Sequence, residues 1–351
     1  RAKLGFNEVE FCIFTLIYSI KIKKLKLSNK YLGIRQVASK KVLQSRVISI
    51  KKEDSVQKNI LLTGSTGMIG SYLLKQLSDQ GHSVSRLYTQ EKELIDNKKG
   101  YSITDLKSGK INLSNFDTIV HLGFARPNST DNEIHSSIVN SFELATQAAQ
   151  SAVDQFIFIS SQSVYGFTSN GKFTEDCKTN PQNSYARAKV TVEDHIKSIT
   201  KLSNETRFTV LRLASVIAPF DSNLTHEAYS SMIVSLLKNK TITLSTPNRL
   251  ISKIDFHDAV DAIDHFTNHS SSSVYEVVNI APNKNSSLLE TMKTVAQELG
   301  KTEDMILTES IENEETNNLV ISADKARQQY GWESKKSINK TLVFFKKYFG
   351  Y

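Results

Sequence analysis

The sequence predicts an α/β fold built on a doubly wound parallel sheet, and three observations predict it. Short apolar runs alternate with amphipathic segments from Lys58 onward. The run 60–62 meets a turn with glycines at 64, 67 and 70 and then a segment with Leu73, Leu74 and Leu77 on one helical face. Tyr185 stands four residues before Lys189 in a helical pattern.

Taken in order, the first element is the strand–turn–helix of residues 59–77. Its glycines have the spacing G-x-x-G-x-x-G. Gly64 permits a tight turn, Gly67 lets the backbone approach a pyrophosphate, and Gly70 lets helix pack on strand. The phosphates would then lie at the helix N-terminus. The same spacing also occurs in ordinary strand-to-helix turns, so the flanking elements carry the reading. Residues 81–88 read as a turn and a second strand. An acid at the end of that strand would bind the adenosine ribose of NAD, but Tyr88-Thr89-Gln90 supplies none. Arg86 shares a strand face with Tyr88. A cation there tilts the choice toward NADP, the alternative being an arginine on a solvated strand end.

Residues 117–123 form a further buried strand that ends in Gly123, small enough to lie beneath a cofactor; His121 within it reads as a packed histidine. A helix from about 132 to 152 follows. The strand 155–161 then delivers the hydroxyls of Ser160 and Ser161 to the sheet edge where ligands bind. Tyr185 and Lys189 lie one helical turn apart, with their polar ends in reach of each other. A free tyrosine has a pKa of about 10. A neighbouring ammonium favours the phenolate, which makes Tyr185 a general acid/base candidate.

The net charge of +8 would point to nucleic acid if it were spread over the chain. It is not. Residues 1–57 hold thirteen Lys or Arg against four acids, a net of +9, which leaves −1 for the other 294 residues. The body is neutral and no nucleic-acid partner is expected. Cys12 and Cys177 show neither metal spacing nor a disulfide framework, so no metal and a cytoplasmic location are expected. The stretch 1–57 is a basic N-terminal extension that opens on Arg1, as a fragment or processed form would. Its apolar run 11–20 is too short to span a bilayer, so no transmembrane segment is expected. Glu8 and Glu10 before that run, with lysines after it, fit a signal peptide poorly. An appended subdomain and a basic patch for a membrane surface or acidic partner both stay open.

From Lys58 to the C-terminus the chain resembles the extended short-chain dehydrogenase/reductases, the NAD-dependent epimerase/dehydratase family of nucleotide-sugar enzymes. The resemblance is carried by Thr63-Gly64-Ser65-Thr66-Gly67-Met68-Ile69-Gly70, by His121-Leu122-Gly123 and by Ser160-Ser161-Gln162-Ser163-Val164-Tyr165-Gly166. It is carried further by Tyr185-x-x-x-Lys189, Asp255-Phe256-His257-Asp258, Val278-Asn279-Ile280, and Asp324-Lys325-Ala326 with Gly331-Trp332. The resemblance implies a Rossmann-like catalytic domain over 58–351. Its small C-terminal substrate-binding lobe would come mainly from 219–250 and 281–322.

It also implies an NAD(P) cofactor, a nucleotide-sugar substrate and a setting in polysaccharide biosynthesis, and it allows a homodimer. Ser161 would hydrogen-bond the reacting sugar oxygen, Tyr185 would exchange its proton, and Lys189 would hold the nicotinamide ribose, while Gly64, Gly67, Met68, Ile69 and Gly70 would line the pyrophosphate. Asp105 and Leu106 occupy the place of the pair that reads adenine, Gln162 lies beside Ser161, and Arg249 is a candidate phosphate clamp. Three positions depart from the pattern: Ser137 where an asparagine is usual, Ala218-Pro219 for Gly-Pro, and Gln162-Ser163 where 4,6-dehydratases carry an acidic pair. The last departure leads us to expect an epimerase or 4-ketoreductase, with Glu175 or Asp176 the first suspects if water is eliminated after all. A reductase of a non-sugar carbonyl and a catalytically idle binding module are the alternatives.

Overall fold

The first strand, β1 (Asn59–Thr63), is buried from Ile60 onward and sends its side chains alternately into two cores. Ile60 and Leu62 join one core, whereas Leu61 between them joins another on the opposite face. Both faces of the sheet are thus apolar, as a parallel sheet covered on two sides requires. The structure is a computed structural model that describes residues 56–88, 100–168, 171–201, 205–219, 228–309, 317–335 and 338–351. The basic extension expected over 1–57 falls almost wholly outside the described residues, as do 220–227 and 310–316.

The elements follow as α1 (Met68–Asp79), β2 (Ser83–Tyr88), β3 (Gly100–Ser102), α2 (Ile103–Lys107), β4 (Thr118–His121), α3 (Asp131–Gln150) and β5 (Gln155–Ser161). Then come α4 (Ser184–Ile199), β6 (Arg207–Leu213), β7 (Ser215–Ile217), α5 (Ala228–Leu237), β8 (Ile242–Leu244), β9 (Lys253–Asp255) and α6 (Phe256–Asn268). The chain ends with β10 (Tyr275–Ile280), α7 (Leu288–Glu298), β11 (Ile306–Thr308), α8 (Asp324–Tyr330) and α9 (Ile338–Phe349).

Seven strands pair in the order β10-β6-β5-β4-β1-β2-β3, and every pairing is parallel. This is the doubly wound, Rossmann-like sheet that the alternating pattern predicts. The chain runs outward from β1 to β3, then returns to the other side of β1 with β4. That reversal opens a crevice at the carboxyl ends of β1 and β4, where sheets of this kind bind ligands. Leu73 and Leu77 of α1 and Phe256, Ile263 and Phe266 of α6 cover one face. Leu144 and Ala148 of α3 and Val192 and Ile196 of α4 cover the other. Each fully buried Val, Leu, Ile or Phe among them contributes roughly 1.5–3 kcal/mol of hydrophobic stabilisation.

A third core stands apart from the sheet. It gathers Ile233 and Leu236 of α5, Leu244 of β8, Met292 and Val295 of α7, and Leu342 and Phe345 of α9. Most of it comes from within 219–250 and 281–322, but α9 lies beyond both stretches. Leu319 and Ile321 belong instead to the main core. No helix among the described residues is long and apolar enough to cross a membrane.

Candidate active site

The crevice holds a cavity of about 430 Å³. Its floor is the glycine-rich turn, with Gly64, Gly67, Met68, Ile69 and Gly70; its walls include Phe124, Ser161, Gln162, Tyr185 and Lys189. The two sequence motifs, more than a hundred residues apart, therefore face one space.

Two glycines of the turn are there for want of room. Gly64 has φ +70°, and a Cβ on it would meet the Gly123 nitrogen at 2.7 Å. A Cβ on Gly70 would lie 2.1 Å from the Gly64 carbonyl oxygen. Gly67 is different: its φ is −73°, and an added Cβ would meet only that same oxygen, at 3.3 Å. Gly67 is also the N-cap of α1, where no side chain caps the helix and no acid stands in the first turn. By contrast, α3, α4, α6 and α7 each have a capping side chain, from Thr130, Asn183, Asp255 and Ser287. An uncapped N-terminus presents N–H donors and positive potential to the cavity. This donor set and the glycine cradle fit a dinucleotide pyrophosphate.

Ser161 ends β5, and its Oγ accepts hydrogen bonds from the Ser163 N–H at 3.2 Å and the Ser163 hydroxyl at 3.0 Å. Its own proton is thereby left to donate into the cavity. Tyr185 and Lys189 stand on the first turns of α4, capped by Asn183, which accepts from the Ala186 N–H at 2.8 Å. Lys189 is 3% exposed; its Nζ donates to the Ile159 carbonyl at 2.7 Å and lies 5.7 Å from the Tyr185 ring centroid. Burial lowers the Lys189 pKa to about 7, partly opposed by the Glu193 carboxylate one turn on.

Two buried networks hold this wall. In the first, Ser141 donates to the Ser137 carbonyl at 2.6 Å, so it must accept from His121 Nε2–H at 2.8 Å. His121 Nδ1 then accepts from the Thr63 hydroxyl at 2.7 Å, and Thr63 Oγ1 accepts from the Gly123 N–H at 2.8 Å. Every group is satisfied only with His121 neutral, in agreement with burial pushing its pKa down to about 3. His121 is a packed strand histidine. Ser137 serves the same anchoring: its Oγ accepts from the Ala125 N–H at 2.9 Å and ties down the loop after β4.

In the second network Arg212 of β6 grips Glu193, with Nη2 2.5 Å from Oε2 and Nε 3.2 Å from Oε1. Ser160 donates to the same carboxylate at 2.5 Å. Arg212 Nη1 donates to the Tyr165 hydroxyl at 2.8 Å, which in turn donates to Asn279 Oδ1 at 2.8 Å. The network backs the strand that carries Ser161.

The remaining candidates have other surroundings. Gly123 lies two residues past the end of β4, and its N–H is taken by Thr63. Asp105 forms a capping box with Ser102, whose N–H and hydroxyl hold its carboxyl below the usual range. Leu106 is fully buried in the core under α3, and its carbonyl accepts from Gln147 at 3.2 Å. Arg86 donates to the Tyr88 hydroxyl at 3.1 Å. Arg249 donates to the Asn317 carbonyl at 2.8 Å and stacks over Phe167, 4.6 Å from its centroid. None of these five lines the cavity. Gln162 does, although only 2% exposed: its Nε2 donates to Ser215 Oγ at 2.8 Å and the Ser252 carbonyl at 3.0 Å, while its Oε1 has no hydrogen-bond partner among the described residues. Sequence reasoning missed Phe124, Thr63, Ser141 and Glu193. Glu193 stands four residues after Lys189, a spacing that could have flagged it; nothing local marks the others.

Sheet, glycine cradle and Ser/Tyr/Lys wall define a dinucleotide-binding α/β protein of the extended short-chain dehydrogenase/reductase kind. The sequence model of the NAD dependent epimerase/dehydratase family matches residues 60–281, and the chain belongs to that family. A putative UDP-glucose 4-epimerase of Methanocaldococcus jannaschii is 24% identical over 289 residues, 78% of this chain and 92% of that protein. The dTDP-D-glucose 4,6-dehydratase of Bos taurus is 24% identical over 341 residues, 87% and 93% of the two chains. Bifunctional protein GAL10 of Kluyveromyces lactis is 22% identical over 331 residues, but the match covers only 48% of that longer protein and 82% of this chain. Among solved structures, MoeE5 in complex with UDP-glucuronic acid and NAD superposes with a TM-score of 0.68 at 21% identity, covering 83% of this chain and 99% of MoeE5.

Proposed function

We propose that the protein is an NAD(P)-dependent enzyme acting at one carbon of a nucleotide-linked sugar, as a 4-ketoreductase or an epimerase and not as a 4,6-dehydratase. The observation that carries the choice is the lining of the cavity: among the described residues it contains no carboxylate. Elimination of water needs an acid/base beyond the tyrosine, because Tyr185 already serves the first carbon, and such help is worth about 10²–10⁴-fold. At the place of the acidic pair stand Gln162, whose amide is held by Ser215 and Ser252, and Ser163, which is bonded to Ser161. Glu175 accepts from the Asn279 N–H at 2.8 Å and, like Asp176, borders a different cavity.

A bound nicotinamide would accept or return the hydride. The chain's residues do the rest. The N–H groups at the start of α1 hold the pyrophosphate in the cradle of Gly64, Gly67 and Gly70. Lys189 holds the nicotinamide ribose and favours the Tyr185 phenolate. Ser161 donates a hydrogen bond to the reacting sugar oxygen, and Tyr185 takes the proton from that oxygen on oxidation or gives it back on reduction. Arg86, two residues before the end of a strand that lacks an acid there, supports NADP over NAD. An Arg–phosphate hydrogen bond is worth about 1.5–3 kcal/mol, so NADPH should bind roughly ten- to a hundredfold more tightly than NADH. Equal affinity in a fluorescence titration removes that preference. The test of reaction type is incubation with UDP-, dTDP-, GDP- and CDP-hexoses and their 4-keto forms, with products followed by mass. Retained mass or a gain of two hydrogens is expected. A product lighter by one water at catalytic rates would overturn the assignment.

A further inference from the structure

Phe124 follows Gly123 on the loop after β4, and its ring lies over the ammonium of Lys189. Nζ is 3.8 Å from the Phe124 centroid and 4.6 Å from that of Phe158. The Phe124 ring also meets Tyr185 edge-on, with centroids 6.1 Å apart, and Phe158 at 6.2 Å. Phe158 is fully buried behind the site, whereas Phe124 is partly exposed and lines the cavity. Lys189 thus sits between the Ile159 carbonyl and aromatic faces, and Phe124 is the member of that cage on the ligand side. A cation is attracted to such a ring face by its quadrupole, most strongly where water is excluded.

We propose that Phe124 is a positioning residue for Lys189: its ring face holds the ammonium beside Tyr185 and screens it from water. The ring acts on the lysine in two opposed ways. Excluding water disfavours the charged form, whereas the ring face favours it. The other groups around Lys189 are few. Glu193, on the next turn of α4, favours the ammonium, and its own charge is shared with Arg212 of β6. His121 of β4 is neutral, and Tyr185 stands one turn back. The catalytic consequence rests on reading Tyr185 and Lys189 as the proton-transfer pair; the positioning itself does not.

The opposed actions give a signature that a merely structural ring would not. Lys189 is titrated in the full chain by the carbon-13 shift of its Cε, assigned with Lys189→Arg. Phe124→Leu keeps the apolar cover but removes the ring face, so the Lys189 pKa falls, by about half to one and a half units. Phe124→Ala admits water, so the pKa rises, by about one unit or more. Phe124→Tyr keeps the face and leaves the titration near that of the parent. Shifts of the same sign in Phe124→Leu and Phe124→Ala, or none in either, overturn the proposal. Opposed shifts with full turnover in Tyr185→Phe would uphold the role of Phe124 and sink the proton-transfer reading instead.

Discussion

Two lysines in this protein are buried without a carboxylate in salt-bridge range among the described residues, and they are built alike. Lys189 donates to the Ile159 carbonyl and sits over Phe124; Lys253 donates to the Ser286 carbonyl at 2.9 Å and sits 5.2 Å from the Tyr229 centroid. Burial lowers both, to about 7 and about 8, and one carboxylate opposes it in each case, Glu193 for Lys189 and Glu290 for Lys253. The surroundings differ. Near Lys253 the helix α7 is closed by the Ser287–Glu290 capping box, and Asp255 is already committed to the N-terminus of α6 and to Thr341. Near Lys189 the helix α1 is uncapped, and Ser161 and Tyr185 turn toward the same cavity. A perturbed lysine therefore does not mark a site by itself; convergence with other polar side chains on one cavity does.

The sharpest way to break the comparison is to remove each lysine. Lys189→Met should lower turnover by about 10²–10⁴-fold, as should Tyr185→Phe. Lys253→Met should leave turnover unchanged in the same assay. Equal losses would mean that burial, not convergence, is what matters.

Next in size is the carboxylate behind each lysine. Glu193→Gln leaves Arg212 buried with its countercharge gone and should cost about 3–5 kcal/mol in urea denaturation. Glu290→Gln keeps a side-chain oxygen to accept from the Ser287 N–H in an exposed capping box, so its urea midpoint should stay close to that of the parent.

A third contrast lies within the glycine turn. Gly70→Ala forces a side chain onto the Gly64 carbonyl and should destabilise the fold by about 1–3 kcal/mol. Gly67→Val should fold but weaken NAD(P) binding by at least about tenfold, or 1.4 kcal/mol. Unchanged affinity in a folded Gly67→Val variant would remove the pyrophosphate assignment.

The comparison also predicts a pH dependence of stability. Each lysine titrates below its unfolded value in the folded protein, so the unfolded chain binds more protons between the two values and stability rises with pH there. For Lys189 the window runs from about pH 7 to the ordinary lysine value of 10.5, and for Lys253 from about pH 8. Urea midpoints of the parent minus those of each Met variant should climb across these windows. A flat difference would show that the lysine concerned is solvated.

What the sequence determined by itself was whatever is written within one or two turns of chain. The strand, glycine turn and helix at 59–79 and the one-turn spacing of Tyr185 and Lys189 are local, because period and spacing place side chains on faces without help from the rest of the fold. The parallel sheet followed from the alternation of such units. The tertiary structure alone decided which distant groups meet. Thr63, His121 and Ser141 form a chain across β1, β4 and α3, and its satisfaction depends on sheet register, with Thr63 opposite His121. The same holds for the ring of Phe124 over Lys189, for the cavity without a carboxylate, and for the placing of Asp105 and Arg249 away from it. These contacts span tens of residues, so no repeat in the sequence encodes them. They arise only when hydrophobic burial on both faces of the sheet fixes strand order and brings the loop ends together.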